Sequence, residues 1–218
     1  MADYKKPDYW LKKARSEGYP ARSVYKLQEI DEKFRLFNPT AAKSGKHIGL
    51  RVMDIGAAPG SWSLYVLRKM AKSTFLERSF LAAADLSPLS REFDKGLFDG
   101  DNFFFVQGDI TTKDVCEALL SKGPYSVIIS DAAPNTSGNH IVDSARSFDL
   151  VENVITYAQN ALVPGGNLCV KIFQSADSDA LLKRIKALFN TTKSFKPSAC
   201  RGASVETYFI GLGFKAFS

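Results

Sequence analysis

The sequence predicts an α/β fold, a doubly wound and mostly parallel sheet with helices on both faces. Short apolar segments alternate with helical segments from residue 51 onward, and a length of 218 residues suits one main domain. The apolar runs are continuous, which is typical of strands covered on both faces. The predicted strands cover residues 51–55, 80–84, 103–107, 125–130 and 167–173. The predicted helices cover residues 62–72, 114–121, 145–161 and 177–190, and residues 86–100 are predicted to form a broken helix and a loop.

The two ends of the chain follow other patterns. Residues 191–196 and 206–214 have no helix between them, which predicts a terminal strand pair with one strand antiparallel. Near the start, residues 8–17 and 22–37 are predicted to be two short helices, because apolar residues recur at helical spacing. Residues 38–50 are predicted to be a loop. We therefore divide the chain into a helical extension at 1–50 and an α/β domain at 51–218.

The net charge is concentrated in the extension. Residues 1–51 contain 12 Lys and Arg and 6 Asp and Glu, whereas residues 52–218 contain 17 of each kind. A basic block on a neutral body is typical of a surface that binds a polyanion such as nucleic acid. The alternative, a solvated helix pair without a partner, is equally compatible with charge alone. Candidate contacts to a nucleic acid are the basic Lys12, Lys13, Arg15 and Arg22 and the aromatic Tyr9, Trp10 and Tyr19.

Several classes of protein are disfavoured by composition. The three cysteines, Cys116, Cys169 and Cys200, include no CxxC pair, which argues against a disulfide scaffold or a structural zinc site. No apolar run approaches 20 residues, and the N-terminal segment lacks the apolar stretch of a secretory signal. We expect a cytoplasmic protein without a membrane span and without a metal site.

The loop after the first predicted strand indicates a ligand site. It has the sequence DIGAAPGSW at residues 54–62, in which Gly56 and Gly60 permit a tight turn and a close approach to a ligand. A nicotinamide site would require GxGxxG and a phosphate-facing amide, but here the spacing is GxxxG and Pro59 lacks an amide hydrogen. Carboxylates follow three successive strands, at Asp54, Asp85 and Asp109. Together they favour a cationic ligand without phosphate, such as S-adenosylmethionine.

Two charged residues on the later strands indicate a reaction centre. Asp131 follows the apolar fourth strand, and Lys171 lies within the apolar fifth strand. A lysine on an edge strand can extend to water, but an unpaired ammonium in a central strand costs several kcal/mol. Because the carboxyl ends of neighbouring strands meet at one edge, Asp131 is the predicted partner of Lys171.

At this point the sequence resembles the FtsJ-like (ribosomal RNA large subunit methyltransferase E) family of 2′-O-methyltransferases, from about residue 9 to residue 214. The motifs that carry the resemblance are YPARSVYKL at 19–27, DIGAAPGSW at 54–62, SDAAPN at 130–135 with Ser137 and Gly138, VPGG at 163–166, VKIFQ at 170–174, and Arg201 with Ser204, Glu206 and Tyr208. The sequence departs from the family pattern at Pro20 and Ala21, where an arginine is usual, at Ser175, where glycine is usual, and at Cys200, where serine is usual.

The resemblance implies the seven-stranded S-adenosylmethionine-dependent methyltransferase sheet with its last strand antiparallel. It implies a catalytic tetrad at Lys26, Asp131, Lys171 and Glu206. It also implies cofactor contacts at Gly60, Trp62, Asp85, Asp109 and Asp131, and Asp54 and Gly56 from the loop complete the predicted cofactor site.

The implied reaction is methyl transfer from S-adenosylmethionine to a ribose 2′-hydroxyl, with S-adenosylhomocysteine as product. In the bacterial type the target is a uridine of large-subunit ribosomal RNA. Lys171 would accept the hydroxyl proton, and Lys26 would steady the developing alkoxide. We expect a monomer with RNA in the large ribosomal subunit as partner, and neither DNA nor membrane. The alternatives are a methyltransferase of transfer RNA anticodon loops and a non-catalytic RNA-binding protein on the same fold.

Overall fold

The computed structural model describes residues 9–39, 49–72, 78–134, 140–174, 178–200 and 205–215. The helices in these residues are α1 (Tyr9–Ser16), α2 (Val24–Phe34), α3 (Ser61–Ala71), α4 (Lys113–Ser121), α5 (His140–Ala161) and α6 (Ser178–Leu188), with a short 3-10 helix at Leu97–Asp99. The strands are β1 (Arg51–Ile55), β2 (Phe80–Asp85), β3 (Phe103–Gln107), β4 (Tyr125–Ser130), β5 (Leu162–Phe173), β6 (Phe189–Phe195) and β7 (Glu206–Phe214). Most of the predicted 38–50 loop, and the motif residues Asn135, Ser137, Gly138, Ser175, Arg201 and Ser204, lie outside the described residues.

The strands form one seven-stranded sheet in the order β3-β2-β1-β4-β5-β7-β6. The pairs from β3 to β5 are parallel, whereas β7 lies antiparallel between β5 and β6. The predicted doubly wound sheet with an antiparallel last strand is therefore confirmed. Because β7 runs backwards, its first residue, Glu206, lies opposite Phe173 at the end of β5. The start of β7 thus joins the edge where the parallel strands end.

The two faces of the sheet carry two hydrophobic cores. On β1, Met53 and Ile55 belong to the core under α4, α5 and α6, whereas Val52 belongs to the core under α1, α2 and α3. This alternation follows from the two-residue period of a strand. Charged or polar side chains that point from a strand toward the α2–α3 face therefore lie beneath the N-terminal helices.

The N-terminal helices contribute directly to the second core. Val24, Leu27 and Ile30 of α2 are fully buried and belong to the same cluster as Val127 and Ile129 of β4. The boundary at residue 50 stays a prediction, but the helices before it share a core with the sheet. Because Lys26 lies between these apolar residues on α2, its side chain is buried as well.

In the described part of the chain, no helix is both long enough and apolar enough to cross a bilayer.

Candidate active site

Charged side chains converge at the carboxyl edge of the sheet, on the α2–α3 face. In the antiparallel pairing of β5 with β7, Lys171 lies opposite Tyr208 and Phe173 lies opposite Glu206. Since Glu206 and Tyr208 are two residues apart on one strand, they share a face. The register therefore brings Lys171, Tyr208 and Glu206 to one face at one edge.

Lys171 and Asp131 form the ion pair that their strand positions predict. The Lys171 Nζ lies 3.0 Å from Asp131 Oδ1 and also donates a hydrogen bond to the backbone carbonyl of Asp131. The side chains are only 9% and 16% exposed, respectively. Such a pair is held by charge-assisted hydrogen bonds that water screens weakly.

Lys26 and Glu206 form a second buried ion pair. The Lys26 Nζ lies 2.8 Å from Glu206 Oε1, and the side chains are 11% and 12% exposed. Lys26 comes from α2 and Glu206 from the first position of β7. The four residues of the predicted tetrad thus form two neutral pairs, although residues 26 and 206 are far apart in the sequence.

Tyr208 connects the two pairs and was not predicted to have a role. Its hydroxyl donates a 2.7 Å hydrogen bond to Asp131 Oδ1, and its ring centroid lies 6.0 Å from the Lys26 Nζ. Burial and the neighbouring Asp131 carboxylate raise the pKa of the Tyr208 hydroxyl, so it remains a donor. The sequence feature that could have indicated a role is its position two residues after Glu206 in a predicted strand, because side chains at that spacing lie on the same face.

Glu206 has one further contact that the sequence did not predict. The Cys200 thiol lies close enough to the Glu206 carboxylate to be affected by its charge. Burial and this carboxylate raise the pKa of Cys200 to about 12, so the thiol stays protonated. The Glu206 carboxylate therefore has an ammonium partner and a protonated thiol nearby.

The predicted cofactor loop is held in a fixed shape by backbone contacts. The amides of Gly56 and Ala57 both donate to the carbonyl oxygen of Ala84, and the amide of Ala58 donates to Asp85 Oδ2 at 2.9 Å. Gly56 has a φ of +77°, and a Cβ there would lie 2.5 Å from Ala132. A residue larger than glycine would therefore strain the turn and clash with β4's exit loop.

Three of the predicted cofactor residues, Gly56, Asp85 and Asp109, line a common cavity of about 130 Å³. The cavity is also lined by Ile55, Leu86, Gly108, Ile110, Ala132, Ala133 and Leu150. Asp109 accepts hydrogen bonds from the backbone amide and hydroxyl of Thr111, and these lower its pKa. A larger cavity of about 470 Å³ lies at the opposite edge, where Arg51 and Phe80 begin their strands, and none of the predicted site residues line it.

Two further predicted cofactor residues lie where the loop joins α3. Gly60 has a φ of +106° and precedes α3. Trp62 is buried, and its indole N–H donates to the Ser23 carbonyl oxygen at 2.9 Å. Its ring centroid lies 6.0 Å from that of Tyr208, which links the cofactor loop to the two ion pairs.

Asp54 is fully buried at the end of β1. The Ser63 hydroxyl donates to Asp54 Oδ2 at 2.7 Å, while Asp54 Oδ1 has no hydrogen-bond partner among the described residues. Burial raises the pKa of Asp54 to about 7, and the carboxylates of Asp131 and Asp85 add to that effect. An orphaned acidic oxygen near two further carboxylates is suited to a cation.

The predicted RNA contacts of the extension divide into packed and exposed residues. Tyr19 is buried under the Arg68 guanidinium, 4.3 Å from its centre, and Arg22 donates to the Ala199 carbonyl oxygen at 2.8 Å. Trp10 packs on Tyr25, and Lys13 lies over both rings. Tyr9, by contrast, is 68% exposed, Lys12 is exposed, and the exposed Arg15 pairs with Glu92 at 3.3 Å. The packed residues stabilise the extension, and Tyr9 and Lys12 are open to a partner.

Comparisons with known proteins match nearly the whole chain to one family. A family model described as FtsJ-like methyltransferase matches residues 19–214. A protein of Treponema denticola named ribosomal RNA large subunit methyltransferase E is 47% identical over 212 residues, which cover 97% of each chain. The protein of the same name from Borreliella afzelii is 42% identical over 207 residues, covering 95% of this chain and 98% of the relative.

Solved structures with low sequence identity share the fold. A Plasmodium falciparum protein named as a ribosomal RNA methyltransferase superposes with a TM-score of 0.71 at 22% identity, covering 91% of this chain and 100% of its own. Human methyltransferase-like protein 13 in complex with SAH gives a TM-score of 0.55 at 16% identity, covering 89% and 85%. These likenesses show that the sheet and its helices have a methyltransferase-type arrangement.

Proposed function

The chain belongs to the FtsJ-like methyltransferase family, and on that basis we propose that it transfers a methyl group from S-adenosylmethionine to a ribose 2′-hydroxyl in RNA. The substrate we propose is large-subunit ribosomal RNA, as the names of the relatives suggest. Within it we propose a uridine, the target that the family resemblance implies. The observation that carries the proposal is the convergence of Lys26, Asp131, Lys171 and Glu206 beside the Gly56–Gly60 loop. A transfer that requires both deprotonation and charge stabilisation uses this set of groups.

The residues around the loop fit S-adenosylmethionine as a ligand. Its sulfonium and ammonium are positive, and the loop lies among the carboxylates of Asp54, Asp85 and Asp131. A cavity of about 130 Å³ is smaller than the roughly 300–1,000 Å³ typical of whole-ligand pockets, so it would hold one part of the ligand, such as the adenine. We assign Asp85 to the ribose hydroxyls and Asp109 to the adenine amino group. When bound, the cofactor supplies an electrophilic methyl group.

The two ion pairs have separate roles in the proposal. Lys171 accepts the proton of the ribose 2′-hydroxyl after its own ammonium has released a proton to solvent, so that an O–H bond breaks as an N–H bond forms on Nζ. Asp131 and Tyr208 hold the Lys171 side chain in place. Lys26 donates to the oxygen as negative charge develops on it, and Glu206 orients Lys26. Burial of all four side chains strengthens these electrostatic effects.

The proposed partner is RNA rather than DNA, because only RNA carries the hydroxyl that would react. The exposed basic residues of α1 would contact its phosphates, which gives affinity without sequence choice. We further propose that the protein acts as a monomer in the cytoplasm.

The direct test is methyl transfer with isotopically labelled S-adenosylmethionine and four substrates: large ribosomal subunits, naked ribosomal RNA, transfer RNA and DNA. We expect label in large subunits or their RNA, mapped to one 2′-O-methylated uridine, and none in DNA. Label in transfer RNA alone would show that the substrate is transfer RNA, as in the anticodon-loop alternative, and not ribosomal RNA. Binding of RNA without any transfer would instead support a non-catalytic RNA-binding protein.

A further inference from the structure

One face of α2 holds the segment that leads into β7. Arg22 precedes the helix, and Lys26 and Glu29 follow four and seven residues later, so the three side chains share a face. Each of them contacts the chain between residues 198 and 206. The predicted tetrad residue Lys26 is therefore the middle of three contacts on this face.

The outer two contacts are hydrogen bonds to consecutive residues. Glu29 Oε2 accepts from the backbone amide of Ser198 at 2.7 Å and from the Ser198 hydroxyl at 2.9 Å. The Arg22 guanidinium donates to the carbonyl oxygen of Ala199 at 2.8 Å. Two of these three bonds use the backbone, so they fix the path of the segment and not merely one side chain.

The next residue of the segment, Cys200, connects these contacts to Glu206 and so back to α2. The Cys200 thiol lies near the Glu206 carboxylate, and Glu206 pairs with Lys26 at 2.8 Å. The contacts thus run from Glu29 through Ser198, Ala199 and Cys200 to Glu206, and return to α2 at Lys26. A shift of the segment away from α2 would pull the thiol from Glu206 and change the geometry of the ion pair.

We propose that Glu29 is a positioning residue for methyl transfer: it holds residues 198–200 on α2 and thereby keeps Glu206 aligned on Lys26. This inference rests on the proposed function. Glu29 is an anion and cannot attract RNA phosphates, so its effect is separable from RNA binding, whereas Arg22 could act in both ways. The carboxylate is needed as an acceptor for two hydrogen bonds, and its charge is secondary.

The first test is independent of activity and uses the reactivity of the Cys200 thiol. In a protein carrying Cys116→Ser, Cys200 is the accessible thiol among the described residues, since Cys169 is fully buried. Glu29→Ala should speed maleimide labelling of Cys200 at least severalfold, and Glu29→Gln should not, because its amide oxygen still accepts. Glu32→Ala, which removes an exposed carboxylate of the same helix, is the matched control. Equal labelling rates in Glu29→Ala and Glu32→Ala would overturn the proposal.

The second test is a double-mutant cycle on the turnover rate at saturating RNA and S-adenosylmethionine. Glu29→Ala should lower kcat by about tenfold to 100-fold, as expected for a catalytic group displaced by about an ångström, with little change in S-adenosylmethionine affinity. In a Glu206→Gln background, Glu29→Ala should cause little further loss, because the two residues act in series. Independent, additive losses would overturn the proposal. Absence of transfer by the unmodified protein would instead overturn the proposed function, and the labelling test would still decide the contact itself.

Discussion

At the scale of single residues, the site is two lysines that are each neutralised by one carboxylate. Lys171 and Asp131 follow from the sequence, because a lysine in an apolar central strand requires a partner and an aspartate ends the neighbouring strand. Tyr208 does not follow from the sequence, because its contact with Asp131 depends on β7 pairing with β5 at one particular register. Local patterns specify which face a residue occupies, but not which distant residue lies opposite.

Replacing Lys171 should remove the proposed proton acceptor. We expect Lys171→Ala to lower the methyl-transfer rate by roughly 10²–10⁴-fold, the usual contribution of a positioned base. Calorimetry should show S-adenosylmethionine binding largely retained. Lys183→Ala, an exposed lysine of α6 on the other face of the sheet, is the control and should keep the parental rate. A near-parental rate in Lys171→Ala with intact cofactor binding would contradict this role.

Removing the Tyr208 hydroxyl should weaken the Lys171–Asp131 pair. Tyr208→Phe keeps the ring and deletes the donor to Asp131, which should cost about 1–3 kcal/mol of unfolding free energy, because a buried carboxylate loses a hydrogen bond. Urea denaturation measures this loss. An unchanged unfolding free energy would indicate that Asp131 is satisfied without Tyr208.

Asp54 should make stability depend on pH. Its pKa is about 7 in the folded protein and near 3.8 when exposed, so the folded state binds more protons than the unfolded state between these values. Stability should therefore decrease as pH rises from about 4 to about 7. Calorimetric melting should show that Asp54→Asn raises Tm at pH 8 but not at pH 4. A parallel pH profile for both proteins would contradict the assignment.

At the scale of secondary-structure elements, the predictions succeed where an apolar run has clear ends. The strands β1, β3, β4 and β7 have the predicted bounds. β5 begins at Leu162 instead of residue 167, because Leu162 pairs with Tyr125 before an irregularity at the Pro-Gly-Gly turn. α5 begins at His140 instead of residue 145, since the residues before Ala145 include Ser and Asp, which the pattern assigned to the loop. Where turn-forming residues are included in a strand or helix, the sequence pattern places the start of that element too late.

Helix α2 should behave as part of the domain core. Leu27 is fully buried against the sheet, so Leu27→Ala should lower the unfolding free energy by about 2–5 kcal/mol. Leu11→Ala in α1, where the side chain is 40% exposed, should change it by less than about 0.5 kcal/mol. Urea denaturation followed by circular dichroism measures both. A small effect at Leu27 would support residues 1–50 as a separable extension.

At the scale of the whole molecule, the charge is asymmetric while the fold is continuous. The net charge of +6 arises in the first 51 residues, whose helices are packed into the same core as β1 and β4. The sequence predicts the basic block but not this packing, because burial of Val24 and Ile30 depends on a sheet that follows later in the chain. The basic surface is thus rigidly connected to the helix that carries Lys26.

Binding of RNA should depend on salt through this surface. We expect Lys12→Gln to weaken RNA binding for all sequences alike and to reduce the slope of log affinity against log salt by about 0.7–0.9, the contribution of one phosphate contact. Lys183→Gln serves as the control on the opposite face. Filter binding between low and moderate salt gives the slopes. Equal slopes for Lys12→Gln and the parental protein would remove α1 from the RNA interface.

The insertion of β7 between β5 and β6 has a consequence for biosynthesis. During translation β5 and β6 are synthesised before β7, and their facing edges can form hydrogen bonds only after β7 is available. That same strand delivers Glu206 and Tyr208, so a nascent chain could hold Lys26 and Lys171 and still have no working centre. The proposed centre would therefore form only after β7 has been synthesised.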